Sequence, residues 1–280
     1  MKLGYNTNGF AHHAPMDAIG VLSEIGYQSI ALTVDHLVLS PDSPNRERDL
    51  QQMKDALRDH QMGCVIETGA RFLLNARHKH EPTLVTANLA ERKKRIDFYF
   101  YCIDLAAELK ADCVSIWSGI LHQPTDDETA LARLAEGLQV ILKRAAEQNV
   151  VIGFEPEPGM YVESMNHFDR MLQWIQHPNL GLTLDIGHLY CLGEVPVADY
   201  IQRWGEMLVN VHLQDMKAGI HEHLMFGEGE MDFAPVIDAI SKTGYRGGVH
   251  VELSRHSHAA VVSAQKAFNF LKPLLSLIHI

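Results

Sequence analysis

Eight short apolar runs of strand character recur along the chain, each followed by a longer segment whose apolar residues fall at helical spacing. The runs read KLGYN, QSIALTV, GCVIET, DCVSIW, VVIGFEP, LGLTLD, LVNVHLQD and GVHVEL. Helical spacing follows over residues 16–25, 46–60, 92–109, 128–148, 168–175, 198–204, 233–243 and 259–275. Alternation of this kind, at about 35 residues per unit, implies parallel strands joined by crossover helices. Strands covered on both faces should be apolar throughout. LKADCVSIW, EQNVVIGFE, HPNLGLTLD and TGYRGGVHVE fit that rule, and each run ends in a residue of functional type. The expected architecture is α/β, a closed eight-stranded barrel, with an open doubly wound sheet as the alternative. A closed barrel typically takes about 250 residues, which leaves little of this chain for a further domain. The chain is therefore read as one domain over residues 1–280. No G-x-G-x-x-G follows the first strand, and no composition break marks a linker.

Charge and composition exclude several classes of partner. Lys plus Arg number 24 and Asp plus Glu 35, a formal charge of −11. A surface this acidic repels a polyphosphate, so nucleic acid is not expected as a partner. No apolar run approaches the roughly 20 residues of a membrane helix, so no membrane association is expected. The opening MKLGYNTNGF lacks the apolar segment of a secretory signal, which points to a cytoplasmic protein. Cys64, Cys102, Cys113 and Cys191 form no C-x-x-C pair and read as small core hydrophobes. The sequence leaves a homo-oligomer open. The loops HLVLSPDSPN, ARFLLNARHKHEPT and QDMKAGIHEHLMFGEGEMD are longer than the usual ~2–6 residues. They follow strands two, three and seven, on the face where a barrel carries its active site.

The polar residues at the strand ends form a pattern. The fifth strand ends in Glu155, the sixth in Asp185 and the eighth in Glu252, and the seventh carries His212 two residues after Asn210. Singly, Asp185 could cap the next turn, His212 could be a satisfied core histidine and Glu155 a solvated loop acid. In a closed barrel, however, these four ends are neighbours on one rim. Three acids crowded there push one another's pKa upward. A divalent cation removes the conflict, and Glu, Asp, His, Glu is a suitable oxygen and nitrogen shell for Mn²⁺, Mg²⁺, Co²⁺ or Zn²⁺. One such ion is the expected cofactor.

GFEPEPG, LTLDIGHLY, NVHLQD with FGEGEMDF after it, and VHVELSR resemble the motifs of the xylose isomerase-like sugar isomerase and epimerase superfamily. That resemblance implies a (β/α)8 TIM barrel, related in fold to the apurinic endonucleases of the endonuclease IV type. It implies Glu155, Asp185, His212 and Glu252 as metal ligands and His188 as a residue of the substrate or of a second metal. Where the endonucleases place histidines after the third and fourth strands, this chain has Glu67 and Trp117. Where the epimerases place an arginine after the seventh-strand histidine, it has Lys217.

The chemistry expected is proton transfer next to a carbonyl. Glu155 and Glu252 would serve as the acid/base pair, one removing the proton and the other returning one. His188 and Lys217 would orient substrate oxygens, Trp117 would form an apolar wall, and Glu157 and Tyr161 would contact hydroxyls. His221 and His223, with His188, would hydrogen-bond the substrate or hold a second metal. Arg71 and Arg255 could meet an anionic group, and Phe10, His12 and His13 could belong to a lid. The reading is an isomerase or epimerase of a small carbohydrate or a hydroxy or keto acid. The alternatives are a dehydratase of a polyol ketone or dehydroshikimate-type acid on the same scaffold, and a non-catalytic metabolite-binding barrel.

Overall fold

The computed structural model describes residues 1–276. The last four residues of the expected domain lie outside the described residues. Eight parallel strands close into a barrel: β1 (Lys2–Asn6), β2 (Ser29–Thr33), β3 (Gly63–Glu67), β4 (Val114–Ile116), β5 (Ile152–Phe154), β6 (Leu180–Asp185), β7 (Leu208–Leu213) and β10 (Gly248–Val251). Closure is visible in the register, where Lys2 of β1 faces Gly248 of β10 and Gly4 faces Ser29 of β2. The open sheet is thereby excluded.

The helices between the strands are α1 (Pro15–Ile25), α2 (Arg46–Asp59), α3 (Leu89–Leu109), α4 (Asp127–Glu147), α5 (Met165–Leu172), α6 (Ile186–Cys191), α7 (Val197–Trp204), α8 (Phe233–Lys242) and α9 (Ala260–Ser276). Polar side chains set several of their starts. Asn88 accepts from Ala90 and Glu91 N–H, Asp126 from Thr129 and Asp232 from Ala234, which satisfies donors that a helix leaves open. α3 begins three residues before the expected position, at the Asn88 cap; Leu89 is 71% exposed, so this first turn has no buried apolar face for the spacing to reveal. α5 likewise begins and ends three residues early, at a Ser164 cap. α6 was not expected at all. Neither was the antiparallel hairpin of β8 (Asp215–Lys217) and β9 (Ile220–Leu224), whose polar sequence reads as a loop.

Between strands and helices lies the main core. Ile19, Leu22, Leu134, Leu138 and Ile141 are buried there, and Phe168 of α5 packs on Phe154 and Trp204. All four cysteines are buried and free. Inside the barrel, Ala31, Val65 and Cys113 form a small apolar plug, with Val151 and Val209 packed against it. A bulge delivers Val209. Leu182 pairs with Leu208 but Thr183 pairs with Asn210, so Val209 is the extra residue.

Beside the plug the barrel interior is polar. The His250 ring sits where a Cβ on Gly4 or on Gly248 would come within 2.2 Å of it. Its Nε2 is 2.9 Å from Ser29 Oγ and its Nδ1 is 2.8 Å from Asn210 Oδ1. Burial pushes its pKa down to about 3, so the ring is neutral. Nδ1–H then donates to Asn210, and Ser29 donates to Nε2.

Gly4→Ala is expected to cost roughly 1–3 kcal/mol, because a ring bonded at both nitrogens cannot yield space. In α1, a Cβ on Gly20 meets nothing within 4 Å. Gly20→Ala should therefore stabilise by about 0.5–1 kcal/mol. Urea denaturation of the two variants checks the pair, and the reverse order would refute the packing argument.

Candidate metal and active site

Glu155 follows β5, Asp185 closes β6, His212 is the penultimate residue of β7 and Glu252 follows β10. Each offers one ligand-type atom, and these atoms lie within 4.8 Å of one another. His212 is the centre of the group. Its Nδ1 is 3.1 Å from Glu155 Oε1, 3.1 Å from Glu252 Oε2 and 3.9 Å from Asp185 Oδ2. Its Nε2 is 2.9 Å from Glu67 Oε1, which also accepts from Asn210 Nδ2 at 2.9 Å. Glu67 thus accepts a hydrogen bond from each neighbour and holds the ring with Nδ1 turned to the three acids. An outer hydrogen bond of this kind fixes which imidazole nitrogen remains available as a ligand.

The other members are held as firmly. Asp185 caps α6, accepting from the His188 N–H at 2.9 Å, and Gln214 Nε2 donates to both its oxygens at 2.7 and 2.8 Å. Asn8 Nδ2 donates to Glu252 Oε1 at 2.7 Å. The electrostatics are correspondingly tense. Burial pushes Glu155 up to about 8, against the pull of His212. Burial also disfavours charge on Glu252, but His212 outweighs it and holds that carboxyl below its usual range. Burial disfavours charge on His212 as well, yet Glu67, Glu155 and Glu252 together raise it well above an ordinary histidine.

Over this group lies a cavity of about 240 Å³, with Glu155, His212 and Glu252 at its base and Glu157, Trp117, His221, His223, Arg71, Lys79, His80 and Arg255 among its walls. The β8–β9 hairpin carries His221 and His223 over the site. Asp215 fastens the segment that follows, accepting from the N–H groups of Gly227, Gly229 and Met231. His188, His221 and His223 form a second compact group, with His188 Nε2 3.1 Å from His221 Nε2. His188 Nδ1 faces the Pro156 carbonyl at 3.3 Å, and His223 Nδ1 faces that of Glu252 at 3.1 Å. Burial pushes His188 down to about 4 and lowers His221, so both are neutral near pH 7.

Of the residues expected at the substrate, Trp117, Glu157, His223 and Arg255 line the cavity. His188 lies behind it, buried and in contact with His221. Lys217 does not line it: the residue is exposed and pairs with Ile220 next to the hairpin turn. Tyr161 is also turned elsewhere, its hydroxyl bonded to Asp127 at 2.8 Å. Phe10 and His13 line a neighbouring cavity, which His12 does not reach.

Comparison with known proteins agrees with the barrel fold. A family model described as xylose isomerase-like TIM barrel matches residues 19–274. The chain belongs to that family. It is 24% identical over 246 residues to the L-ribulose-5-phosphate 3-epimerase UlaE of Shigella flexneri, covering 86% of this chain and 85% of that protein. It is 30% identical over 145 residues to the inosose dehydratase of Lacticaseibacillus casei, covering 46% of this chain and 48% of that one. A D-tagatose 3-epimerase-like protein shares the fold at a TM-score of 0.83, with 20% identity over 100% of this chain and 98% of its own. The IOLI protein with a bound zinc atom does so at 0.78, with 16% identity and 99% of each chain covered.

A residue that supports the cavity wall from outside was not legible in the sequence. Arg95 of α3 is fully buried and pairs with no carboxylate among the described residues; its guanidinium donates to the carbonyls of Thr68 at 3.2 Å, His80 at 2.6 Å and Pro82 at 2.6 Å. It also lies 5.0 Å over the Trp117 ring. One side chain therefore ties both ends of the loop that carries Arg71, Lys79 and His80 to the cavity wall. Within RKKRID no local motif distinguishes it from its solvated neighbours. Arg95→Met should leave those carbonyls unpaired, at about 1–3 kcal/mol for each group that water cannot reach. Faster proteolysis between residues 69 and 82 with barrel circular dichroism retained is the expected result. Unchanged protection of that loop would remove Arg95 from this role.

Proposed function

We propose that the chain is a divalent metal-dependent isomerase or epimerase of a sugar, sugar phosphate or related hydroxycarbonyl compound, with Glu155 and Glu252 moving the proton. The observation that supports this is the group of Glu155, Asp185, His212 and Glu252, whose ligand-type atoms lie within 4.8 Å of one another and of which all but Asp185 line an open polar cavity. This donor set fits Mn²⁺, Mg²⁺, Co²⁺ or Zn²⁺, because a +2 charge relieves the repulsion among the acids and His212 offers Nδ1. Glu155, Asp185, His212 and Glu252 would hold the ion. Bound there, it would supply positive charge beside the substrate carbonyl, where negative charge develops as the adjacent carbon loses its proton.

The chain's own residues carry the remaining steps. Glu155 and Glu252 come from different strands, β5 and β10, and each approaches His212 Nδ1 to 3.1 Å. A substrate held between them meets one carboxylate able to take a carbon-bound proton and a second able to give one. Delivery to the opposite face of the same carbon inverts it, and delivery to the neighbouring carbon shifts the carbonyl. Glu157, His221 and His223 offer hydrogen-bond partners to hydroxyls, and Trp117 covers a sugar face. The same first step would serve a dehydratase, a reading favoured by the likeness to inosose dehydratase. Product mass separates the two, since isomerisation leaves it unchanged and dehydration lowers it by one water. Binding with no turnover would leave a non-catalytic barrel.

Purified protein is expected to carry one divalent ion, and chelation should lower its melting temperature. Restoring an ion at about 100 times its dissociation constant returns about 2.7 kcal/mol. Failure of all four ions to shift the melting temperature of chelated protein would remove the metal site.

Glu155→Gln and Glu252→Gln, assayed with measured metal content, should each lose about 10²–10⁴-fold in turnover with a smaller change in substrate affinity. Wild type in deuterated water should place deuterium on the carbon next to the carbonyl. Full interconversion by a metal-loaded Glu252→Gln protein would leave Glu252 at most a ligand.

A further inference from the structure

Cations are outnumbered in this chain, 24 Lys plus Arg against 35 Asp plus Glu, yet Arg71, Lys79 and Arg255 all line the cavity above its acidic base. A neutral polyol would need only the hydroxyl partners that His221, His223 and Asn8 already offer. Three cations beside them answer to negative charge on the ligand.

The three are not equally committed. Arg255 is paired with Glu222 at 2.8 Å, both side chains being largely exposed. Lys79 is exposed and has no carboxylate within 4.0 Å among the described residues. Arg71 donates to the Asn8 carbonyl at 3.1 Å, and its nearest acid, Asp35, stands at 3.7 Å. Its guanidinium can therefore still take a bidentate partner. Arg71 also occupies a junction. It lines both the main cavity and a neighbouring one of about 210 Å³, walled in part by Phe10, Leu37 and Val38. Its main chain is left-handed, with φ at 36° after 53° at Ala70, a conformation that costs energy in residues other than glycine. Asn8 connects it to the reacting end, since the residue whose carbonyl takes Arg71 donates its side-chain amide to Glu252 at 2.7 Å.

We propose that the site takes an anionic hydroxycarbonyl substrate, a sugar phosphate ester or a sugar carboxylate, whose charged end is received by Arg71 together with Lys79 and Arg255. This rests on the reading of the cavity base as a proton-transfer centre. The hydroxycarbonyl end lies on the acids and the anionic end at the cations.

The test uses Mn²⁺-loaded full-length protein. A ketopentose, its 5-phosphate, a keto sugar acid and inorganic phosphate are titrated calorimetrically, and the three sugars are also incubated in deuterated water. At least one anion should bind about tenfold or more tightly than the neutral ketose. The advantage should shrink as salt rises, collapse in Arg71→Gln and fall in part in Lys79→Gln, an exposed site where folding is not at stake. Whether the ester or the acid is preferred identifies the group. Equal binding of neutral and charged sugars, an anion advantage unchanged in both variants, or no measurable binding of any anion would overturn the proposal. Exchange separates its failure from that of the reading beneath it. A neutral ketose that exchanges with no anion preference removes the anion site and leaves the proton-transfer centre. Anion preference with no exchange in any sugar keeps the anion site and removes that centre.

Discussion

Three carboxylates and an imidazole cannot be gathered at the end of an apolar barrel unless something compensates their charge, and much of the interior is arranged around that fact. Glu67 accepts from His212 and from Asn210, Asn210 accepts from His250, and His250 accepts from Ser29. The result is a continuous line of hydrogen bonds from the cavity base to the second strand. Each buried donor in it finds an acceptor, as groups shielded from water must. The line needs space across the barrel, which Gly4 and Gly248 leave beside His250. It also needs Asn210 and His212 directed inward, and the bulge at Val209 supplies that register.

The roof of the cavity is built by different means. The hairpin that carries His221 and His223 is polar and short, and on its own would be marginal. Its fastening comes from Asp215, which takes three loop N–H groups onto one carboxylate, so tightly that a Cβ at Gly229 would fall 2.2 Å from its Oδ1. Asp215 lies three residues after His212 in NVHLQD. The motif therefore encodes one residue for the base of the site and one for its cover.

The barrel was legible because its signal is repeated: eight short apolar runs, each followed by a stretch of helical spacing, leave few topologies open. The positions of Glu155, Asp185, His212 and Glu252 were legible for the same reason, since strand ends in a closed parallel barrel converge wherever the chain has travelled in between. What remained hidden lacks periodicity. Lys217 is expected near the site only because it stands where the resemblance places an arginine, but a tight hairpin reverses the chain there and leaves its side chain outside the cavity. Arg95 reads as one of several charges in a helix, and only the fold of the preceding loop surrounds it with carbonyls. Glu67 was read as the residue occupying a histidine position, whereas its geometry makes it the partner of His212.

The site thereby divides into two parts of different mechanical character. Groups at or next to strand ends, Glu67, Glu155, Asp185, His212 and Glu252, are carried on paired barrel backbone. Groups on loops, Arg71, Lys79, His80, Glu157 and Arg255, are held in place only where something ties the loop down. Arg95 provides that tie for the loop after β3, from a helix that itself packs on β3 and β4. Positioning of the cavity wall therefore depends on a charge that never touches the cavity. Loops can change length and sequence without disturbing the barrel, so this division lets the base keep one chemistry while the walls set which molecule is presented to it.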